Sequence, residues 1–329
     1  MMNNREFMMR GLGLLAALLL TAVGLAACSS SQLGNLEPSP KRLALVAPVH
    51  AEEQGNAMRL GADAAAKEFA VELEYISFEP SEGEEEQLNA ALKNVETGAS
   101  AVLIDPANER VLKELAARAF EKGLPVVALN DERTAKGVMA TIAINNEEAG
   151  RKAGKAMAEL LGGSGTIAII RADRNDPDLE QREAGVRAVL AEYADIQITD
   201  GASCGNRRDA CWQAAKQMLD KGPADGALAL EIQASLGLTD EVKRRSEEGQ
   251  IKIVTFGSEM EQLELLQEGI IHKLVVQNDF STGYLGVKQA VALLAGEGFD
   301  KSTMLETKVI DADNMFWMDN QKMLFPFVQ

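Results

Sequence analysis

The chain has 329 residues, of which 46% are hydrophobic and only 5% aromatic, and a formal net charge of −17. This length is enough for about two domains of ordinary size, each with its own buried core. The excess of acidic residues excludes a nucleic-acid-binding protein, because phosphate recognition requires a basic face and the sequence has none.

The amino terminus has the features of a secretory signal. Arg5 and Arg10 precede an apolar run at 12–27, which leads into Leu25-Ala-Ala-Cys28. A charged start, an apolar middle and small residues at a cleavage point are typical of exported proteins. The last four residues resemble the bacterial lipobox, which implies removal of residues 1–27 and lipidation of Cys28.

An uncleaved membrane anchor is the alternative, since the apolar stretch at 11–27 approaches the length of a membrane span. Either interpretation places the body of the protein outside the cytoplasmic membrane, in the cell envelope. Residues 28–40 are rich in Ser, Pro and Gly, which predicts a flexible tether. We therefore expect contact with the membrane through the lipid anchor only.

From Lys41 onward, short apolar runs alternate with segments of helical spacing. The predicted strands are 43–47, 71–78, 101–104, 126–129, 138–144, 166–171, 196–199, 226–230, 251–256, 274–277 and 305–310. The predicted helices are 58–69, 87–95, 111–120, 146–161, 179–193, 208–219, 235–247, 260–268 and 281–294. Several strands are too apolar to face water on one side, so we expect parallel sheets with helices on both faces.

The number of these units decides the architecture. Nearly a dozen predicted strands are more than one open sheet usually holds, which favours an α/β fold of two Rossmann-like lobes. An eight-stranded βα barrel is the competing architecture. In open parallel sheets, ligands bind outside the carboxyl ends of the strands, and Asp105, Asn130 and Asp131 follow two of the predicted strands.

Cys204 and Cys211 are the two cysteines besides Cys28, and six residues separate them. In an oxidising compartment they are expected to form a disulfide that closes a short loop in front of a helix. A metal site is not expected, because the two histidines, His50 and His272, are distant from them in sequence.

The body of the chain resembles the ribose-binding type of periplasmic sugar-binding proteins, which serve ABC importers. The resemblance spans residues 41 to about 310 and is carried by short motifs. These are Leu43-Ala-Leu-Val-Ala, Gly61-Ala-Asp-Ala-Ala, Val102-Leu-Ile-Asp-Pro, Pro125-Val-Val-Ala-Leu-Asn-Asp, Ile142-Ala-Ile-Asn-Asn-Glu-Glu-Ala-Gly, Arg182-Glu-Ala-Gly, Ile253-Val-Thr-Phe-Gly, and Gln277 with Gly283.

The resemblance implies the type I periplasmic binding protein fold, in which two lobes are joined by a three-segment hinge. The crossings are expected near Ile144-Asn145, Gln277-Asn278 and Glu306-Thr307. The N-terminal lobe would then contain residues 41–144 and 278–306, and the C-terminal lobe residues 145–277 and 307–329. The ligand would lie between the lobes, and closure would bury it.

Positions that match the family's sugar site are carried over as the expected ligand-binding residues. They are Glu52, Gln54, Gly55, Asn130, Asp131, Arg182, Asn206, Glu231, Gly257 and Gln277. Only Arg182 and Gln277 have the family's residue type, and Gly257 stands where the family has an aspartate. The aromatic residues that stack on the sugar are absent, because Gln54, Gly55 and Asn206 stand in their places.

Other interpretations of these residues remain open. Arg182 would pair with Glu180 or Asp178 if it lay on a solvated face, Gln277 would satisfy backbone groups in the hinge, and Glu52 would belong to an exposed acidic loop. If the acidic residues do line the cleft, they need a cation, a proton or dense hydrogen bonding. That requirement favours a polyol, an amino-sugar or another amine as the ligand.

We therefore expect a solute-binding lipoprotein that delivers a small polar ligand to an ABC permease and acts as a monomer. The alternative is a non-transporting module of the same fold that partners a membrane sensor kinase. An enzyme is not expected, since the sequence indicates no phosphate loop, GxGxxG fingerprint, HExxH motif or GxSxG nucleophile elbow, and no catalytic residue or cofactor is assigned.

Overall fold

The structure is a computed structural model that describes residues 40–48, 57–78, 83–172, 176–199, 201–205 and 207–325. The chain divides into two units, Met1–Pro40 and Lys41–Gln329, and the fold described here is that of the second unit. The predicted signal peptide, the lipidated Cys28 and the tether up to residue 39 lie outside the described residues. Among the helices that the structure describes, none combines the length and the apolar character needed to cross a membrane.

The first sheet has six strands, each parallel to its neighbours. In chain order they are β1 (Arg42–Pro48), β2 (Glu72–Phe78), β3 (Ala101–Ile104), β4 (Val126–Leu129), β5 (Val138–Ile144) and β12 (Ser302–Leu305), arranged β12-β5-β4-β3-β1-β2. Its helices are α1 (Ala57–Glu68), α2 (Glu84–Glu96), α3 (Glu109–Glu121) and α9 (Asp279–Ala295). Helices α2 and α3 cover one face of the sheet, and α1 and α9 cover the other.

The second sheet has seven strands. They are β6 (Ser164–Arg171), β7 (Asp195–Ile198), β8 (Ala202–Ser203), β9 (Gly226–Ala229), β10 (Lys252–Phe256), β11 (Lys273–Val276) and β13 (Lys308–Ile310), arranged β13-β11-β10-β9-β6-β7 with β8 also beside β6. All pairs are parallel except β11 with β13. On one face lie α4 (Asn146–Leu160) and α5 (Pro177–Leu190), and on the other α6 (Arg208–Asp220), α7 (Ile232–Arg245), α8 (Met260–Gln267) and α10 (Met318–Leu324).

Successive residues of the strands pack into cores on opposite faces of each sheet. In β1, Leu43 and Leu45 pack against α1 and α9, whereas Ala44 and Val46 face α2 and α3, and all four are fully buried. A strand with water on one face would alternate apolar and polar residues, so burial on both faces explains the continuous apolar runs. The predicted fold class is confirmed, and two open sheets exclude the barrel.

The chain passes between the two sheets three times, after β5, β11 and β12. The prediction of a single strand at 305–310 is wrong, because the chain changes sheets within it: β12 ends at Leu305 and β13 begins at Lys308. Helix α10 and the two-residue strand β8 were not predicted.

Glycine residues allow two pairs of helices to pack very closely, one pair on each sheet. A Cβ atom on Gly283 of α9 would lie 1.9 Å from the carbonyl oxygen of Met58 in α1. On the second sheet, a Cβ on Gly150 of α4 would lie 2.0 Å from the carbonyl oxygen of Arg182 in α5. Side chains larger than hydrogen at these positions would force the helices apart.

The two cysteines of the second unit lie at the start of α6. Cys204 precedes the helix, Cys211 lies in its first turn, and the structure joins their sulfur atoms as a disulfide. Both residues are buried, and Cys211 belongs to the core between α6 and the second sheet.

Candidate ligand-binding site

A cavity of about 250 Å³ opens at the carboxyl ends of strands from both sheets. The first sheet contributes residues that follow β3 and β4 and residues at the start of α1 and α9. The second sheet contributes residues from α5, α7 and the loop after β10. The polar and charged groups in its lining include Asp105, Asn130, Arg182, Glu231, Gln277 and Asp279.

Asn130 and Gln277 connect the strand ends across the cavity floor. The Asn130 side-chain amide donates to Asp105 Oδ2 at 3.0 Å, and Gln277 Nε2 donates to Asp279 Oδ1 at 2.6 Å. Gln277 Nε2 also lies 3.5 Å from Asn130 Oδ1. Asn130 has φ of 54°, a left-handed conformation that asparagine tolerates better than most residues. Gln277 therefore bonds to side chains and lines the cavity, in contrast to the alternative in which it satisfies hinge backbone.

Arg182 projects from α5 and is held by neutral partners. Its Nε donates to Asn146 Oδ1 at 2.8 Å, and Nη1 donates to the Leu230 carbonyl at 2.9 Å. The guanidinium carbon lies 4.8 Å from the centre of the Phe256 ring, a cation–π distance. Neither Glu180 nor Asp178 pairs with it. The structure thus places Arg182 in the cavity wall and not on a solvated face.

Glu231 is the N-cap of α7 as well as a cavity residue. Its carboxylate accepts hydrogen bonds from the backbone N–H groups of Gln233, at 2.6 Å, and Ala234. Burial raises the pKa of Glu231, and these two hydrogen bonds oppose the rise. The Glu231 carboxyl thus both caps α7 and lines the cavity.

Gly257 lines the cavity directly after β10, where the resembled family has an aspartate. Its φ is +116°, and an added Cβ would lie 2.4 Å from Gln262 Oε1 and 2.8 Å from Ile232. Gln262 is buried and is held by the Phe256 carbonyl and the backbone N–H of Glu259. The local backbone therefore requires glycine, and the family's carboxylate has no counterpart here.

Asp131 is placed differently from the expectation. It is buried, but it is absent from the cavity lining because Arg133 Nε contacts both of its carboxylate oxygens, at 2.8 and 2.9 Å. Arg133 also lies in the field of Asp176 and Asp178 at the start of α5. Burial and the charge of Asp176 raise the pKa of Asp178 to about 6.

One further hydrogen bond joins the two sides of the site. Gln181 Nε2 in α5 donates to Glu132 Oε1 at 3.0 Å, and Glu132 lies in the segment after β4. Glu132 follows a strand of the first sheet and Gln181 lies on a helix that packs on the second, so this hydrogen bond joins the two layers outside the described cavity lining.

The cavity brings together five of the ten expected site residues: Asn130, Arg182, Glu231, Gly257 and Gln277. Glu52, Gln54, Gly55 and Asn206 lie outside the described residues. Sequence reasoning missed Asp279, Glu259, Met323 and Leu324 in the lining. Asp279 follows a predicted strand end by two residues, so the strand-end rule is a signal that could have found it.

No feature of the described residues favours catalysis or a metal. The sequence Gly201-Ala-Ser-Cys-Gly205 has GxSxG spacing, but Ser203 lies within β8 and its hydroxyl donates to the Ala172 carbonyl at 3.3 Å. A nucleophile elbow requires the serine at a turn between strand and helix. Cys204, Cys211 and Glu231 approach one another closely enough for a metal, but the sulfurs are bonded to each other and are not thiolate ligands.

Comparisons with known proteins agree with this geometry. Residues 43–298 match the family described as periplasmic binding protein domain. The D-ribose/D-allose-binding protein of Pseudomonas aeruginosa is 26% identical over 306 residues, which cover 88% of this chain and 96% of that protein. The xylitol-binding protein of Mycolicibacterium smegmatis is 25% identical over 67% of this chain and 64% of its own length.

Among solved structures, GanP, a glucose-galactose binding protein from Geobacillus stearothermophilus, superposes with a TM-score of 0.76 at 26% identity. The alignment covers 84% of this chain and 99% of GanP. These relatives are solute-binding proteins and not enzymes, which confirms that prediction. The chain belongs to the periplasmic binding protein family and has the type I fold of its sugar-binding members.

Proposed function

We propose that this protein captures a small sugar-like or polyol ligand in the cavity between its two lobes and delivers it to an ABC permease. The observation that carries the proposal is the composition of the cavity lining, which draws polar groups from both sheets and from the segments that cross between them. A ligand that hydrogen-bonds to both sides stabilises the closed arrangement relative to the open one.

The relatives support the ligand class. The P. aeruginosa relative is named for ribose and allose and the M. smegmatis relative for xylitol, so the family accommodates both ring sugars and linear polyols. A cavity of about 250 Å³ suits a ligand of that size. Phe256 is the one aromatic residue in the described lining, and Arg182 already covers its ring. Hydrogen bonding therefore has a larger role here than aromatic stacking.

We assign residues 41–144 with 278–306 to one lobe and 145–277 with 307–329 to the other. The assignment is supported by the three passages of the chain between the sheets. Rotation about these segments would open the cavity to solvent. The hydrogen bond from Gln181 to Glu132 and the near approach of Gln277 to Asn130 would then break.

The sequence supports a lipid anchor on Cys28 after removal of residues 1–27, and a disulfide between Cys204 and Cys211. The anchor would hold the acidic body in the cell envelope, outside the cytoplasm, and the protein would act as a monomer. Mass spectrometry of the protein from its native membrane tests both features. The expected masses are those of a diacylated or triacylated mature chain with two fewer hydrogen atoms than the reduced form.

The binding function is tested with the purified soluble chain. Native mass spectrometry identifies any ligand that remains bound, and thermal unfolding is measured with pentoses, hexoses, polyols and their amino derivatives. A ligand present at one hundred times its Kd stabilises the folded state by about 2.7 kcal/mol. A chain that neither carries nor responds to any of these molecules contradicts the proposal.

A sensor role is the second candidate, and the lack of an open aromatic face in the described lining favours it. In that role the liganded form would engage a membrane sensor kinase and not a permease. Cross-linking in intact cells, followed by identification of the captured membrane protein, separates the two. Permease subunits support transport, and a histidine kinase supports sensing.

A further inference from the structure

The disulfide between Cys204 and Cys211 lies beside the wall of the cavity. The two sulfur atoms and a carboxylate oxygen of Glu231 all lie within 4.8 Å of one another. Glu231 belongs to the described lining of the cavity, whereas neither cysteine does. The disulfide is therefore placed to act on the cavity through Glu231 and not through direct contact with a bound molecule.

Cys204 holds one end of the disulfide at the second sheet. Its backbone N–H donates to the carbonyl of Arg171, the last residue of β6, at 3.0 Å. The carbonyl of Ile170, one residue earlier, accepts from the backbone N–H of Leu230 at 3.0 Å. Leu230 directly precedes Glu231 in the chain. The first cysteine and the segment that carries Glu231 are thus hydrogen-bonded to the same strand end.

Cys211 holds the other end of the disulfide between two helices. It is fully buried near the start of α6. A Cβ atom added to Gly237 of α7 would lie 2.7 Å from the Cβ of Cys211, so the two helices approach very closely at this point. Interiors packed to such density transmit displacements from one element to the next. A shift of Cys211 would therefore move α7, the helix that Glu231 caps.

The Glu231 carboxyl occupies a position that depends on its surroundings. It accepts hydrogen bonds from the backbone N–H groups of Gln233 and Ala234, and burial raises its pKa. A buried carboxylate turns toward water when space opens beside it, because burial penalises its charged form. The disulfide occupies the space next to this carboxyl. Opening the bridge would let the two cysteines separate and free the carboxyl to leave the helix end.

We propose that the Cys204–Cys211 disulfide is a positioning element of the binding site, which holds the Glu231 carboxyl at the start of α7 and so maintains the cavity wall. The inference rests on the proposed binding function and assigns a further role to residues outside the lining of the same site. With the bridge closed, the carboxylate both caps α7 and offers an acceptor to ligand hydroxyl groups. With the bridge open, the cap and the acceptor are lost together.

Amide hydrogen exchange, followed by NMR, tests the positioning role without any ligand. It compares the oxidised chain, the chain reduced in urea and refolded in dithiothreitol, and the double variant Cys204→Ala/Cys211→Ala. Reduction cleaves the S–S bond, places one proton on each sulfur and oxidises the reagent to its cyclic disulfide. In both unbridged forms the amides of Gln233 and Ala234 should exchange about fivefold faster, the factor that corresponds to loss of an N-cap.

A second capped helix of the same lobe is the matched control. The backbone N–H of Glu148 donates to the Asn145 side chain at 2.8 Å, at the start of α4 on the opposite face of the second sheet. Its exchange rate should be the same in all three forms. Unchanged exchange at Gln233 and Ala234 overturns the inference, and so does an equal rise at Glu148, which would show general loosening. Failure of both unbridged forms to fold also overturns it, because the bridge would then be a requirement of the fold.

Calorimetric titration connects the bridge to binding. The probes are D-ribose, D-allose and xylitol, each with the oxidised chain, the reduced chain and the reduced chain after reoxidation. Affinity should fall by about fivefold or more on reduction and return on reoxidation. Equal affinity in the oxidised and reduced chains overturns the inference and leaves the binding function intact. If no probe binds any form, the failure is that of the proposed function, and the exchange experiment still decides whether the disulfide positions Glu231.

Discussion

The close contact between α4 and α5 at Gly150 links packing directly to the candidate binding site. In Gly150→Ala, the new Cβ would lie 2.0 Å from the Arg182 carbonyl oxygen, and that oxygen belongs to the backbone of α5. Because real Cβ contacts shorter than 3.0 Å are essentially never seen, α4 and α5 must separate by about 1 Å. The backbone atom cannot rotate away as a side chain would.

The expected cost follows from this separation. Overpacking of a close-packed contact costs about 1–3 kcal/mol of unfolding free energy. The same shift would lengthen the 2.8 Å hydrogen bond from Arg182 to Asn146 to about 3.8 Å, which is beyond hydrogen-bonding distance. We therefore expect Gly150→Ala to lower stability and to weaken ligand binding together.

Urea unfolding and calorimetric titration measure the two effects. Gly298→Ala is the matched control, since an added Cβ there meets no atom within 4 Å. A Gly150→Ala variant that is as stable as the control, within about 0.5 kcal/mol, refutes the packing argument.

The remaining predictions concern two carboxylates, Glu241 and Asp178, and one glycine, Gly257. Glu241 is fully buried, and its ion pair with Arg244 lowers the pKa of the glutamate to about 2. Glu241→Gln should therefore lower the free energy of unfolding by about 2–3 kcal/mol at pH 7, as measured by urea unfolding. The difference from the wild type should shrink as the pH falls from about 4.5 toward 2. The pKa of Asp178 is raised to about 6, so its ionisation opposes folding. Asp178→Asn should therefore raise the free energy of unfolding by up to about 3 kcal/mol at pH 7 and leave it unchanged below about pH 4. Stabilisation that is independent of pH would contradict this account. Gly257→Asp would restore the family's residue. Because the new side chain would clash with Gln262 at a backbone φ of +116°, the variant should have a lower melting temperature and no higher affinity for sugars. Higher sugar affinity in calorimetric titrations would contradict this prediction and show that the backbone adapts.

The strand ends that border the candidate cavity could be predicted from the sequence, but the direction of their side chains could not. Strands at 101–104 and 126–129 were evident as apolar runs, and the strand-end rule pointed to the residues that follow them. Asn130 reaches the cavity, yet Asp131 does not, because its carboxylate is held by Arg133 two residues later. Such local pairing depends on rotamers, which periodicity does not encode.

The carboxyl-terminal part of the chain was the hardest to predict. No glycine or proline marks the change of sheet between Leu305 and Lys308, so a single strand was the natural interpretation of Leu305-Glu-Thr-Lys-Val-Ile310. Helix α10 has seven residues, too few for a clear helical period, and Met323 and Leu324 reach the cavity only through long-range packing.

Binding through Arg182 tests the central claim most directly. Calorimetric titration should be carried out with the tightest ligand from the screen on the wild type, Arg182→Ala and Arg187→Ala, the last being an exposed arginine of the same helix. A cavity that holds its ligand between the lobes predicts one site per chain, a loss of about tenfold or more in affinity for Arg182→Ala, and unchanged affinity for Arg187→Ala. Equal affinity in all three proteins would contradict it.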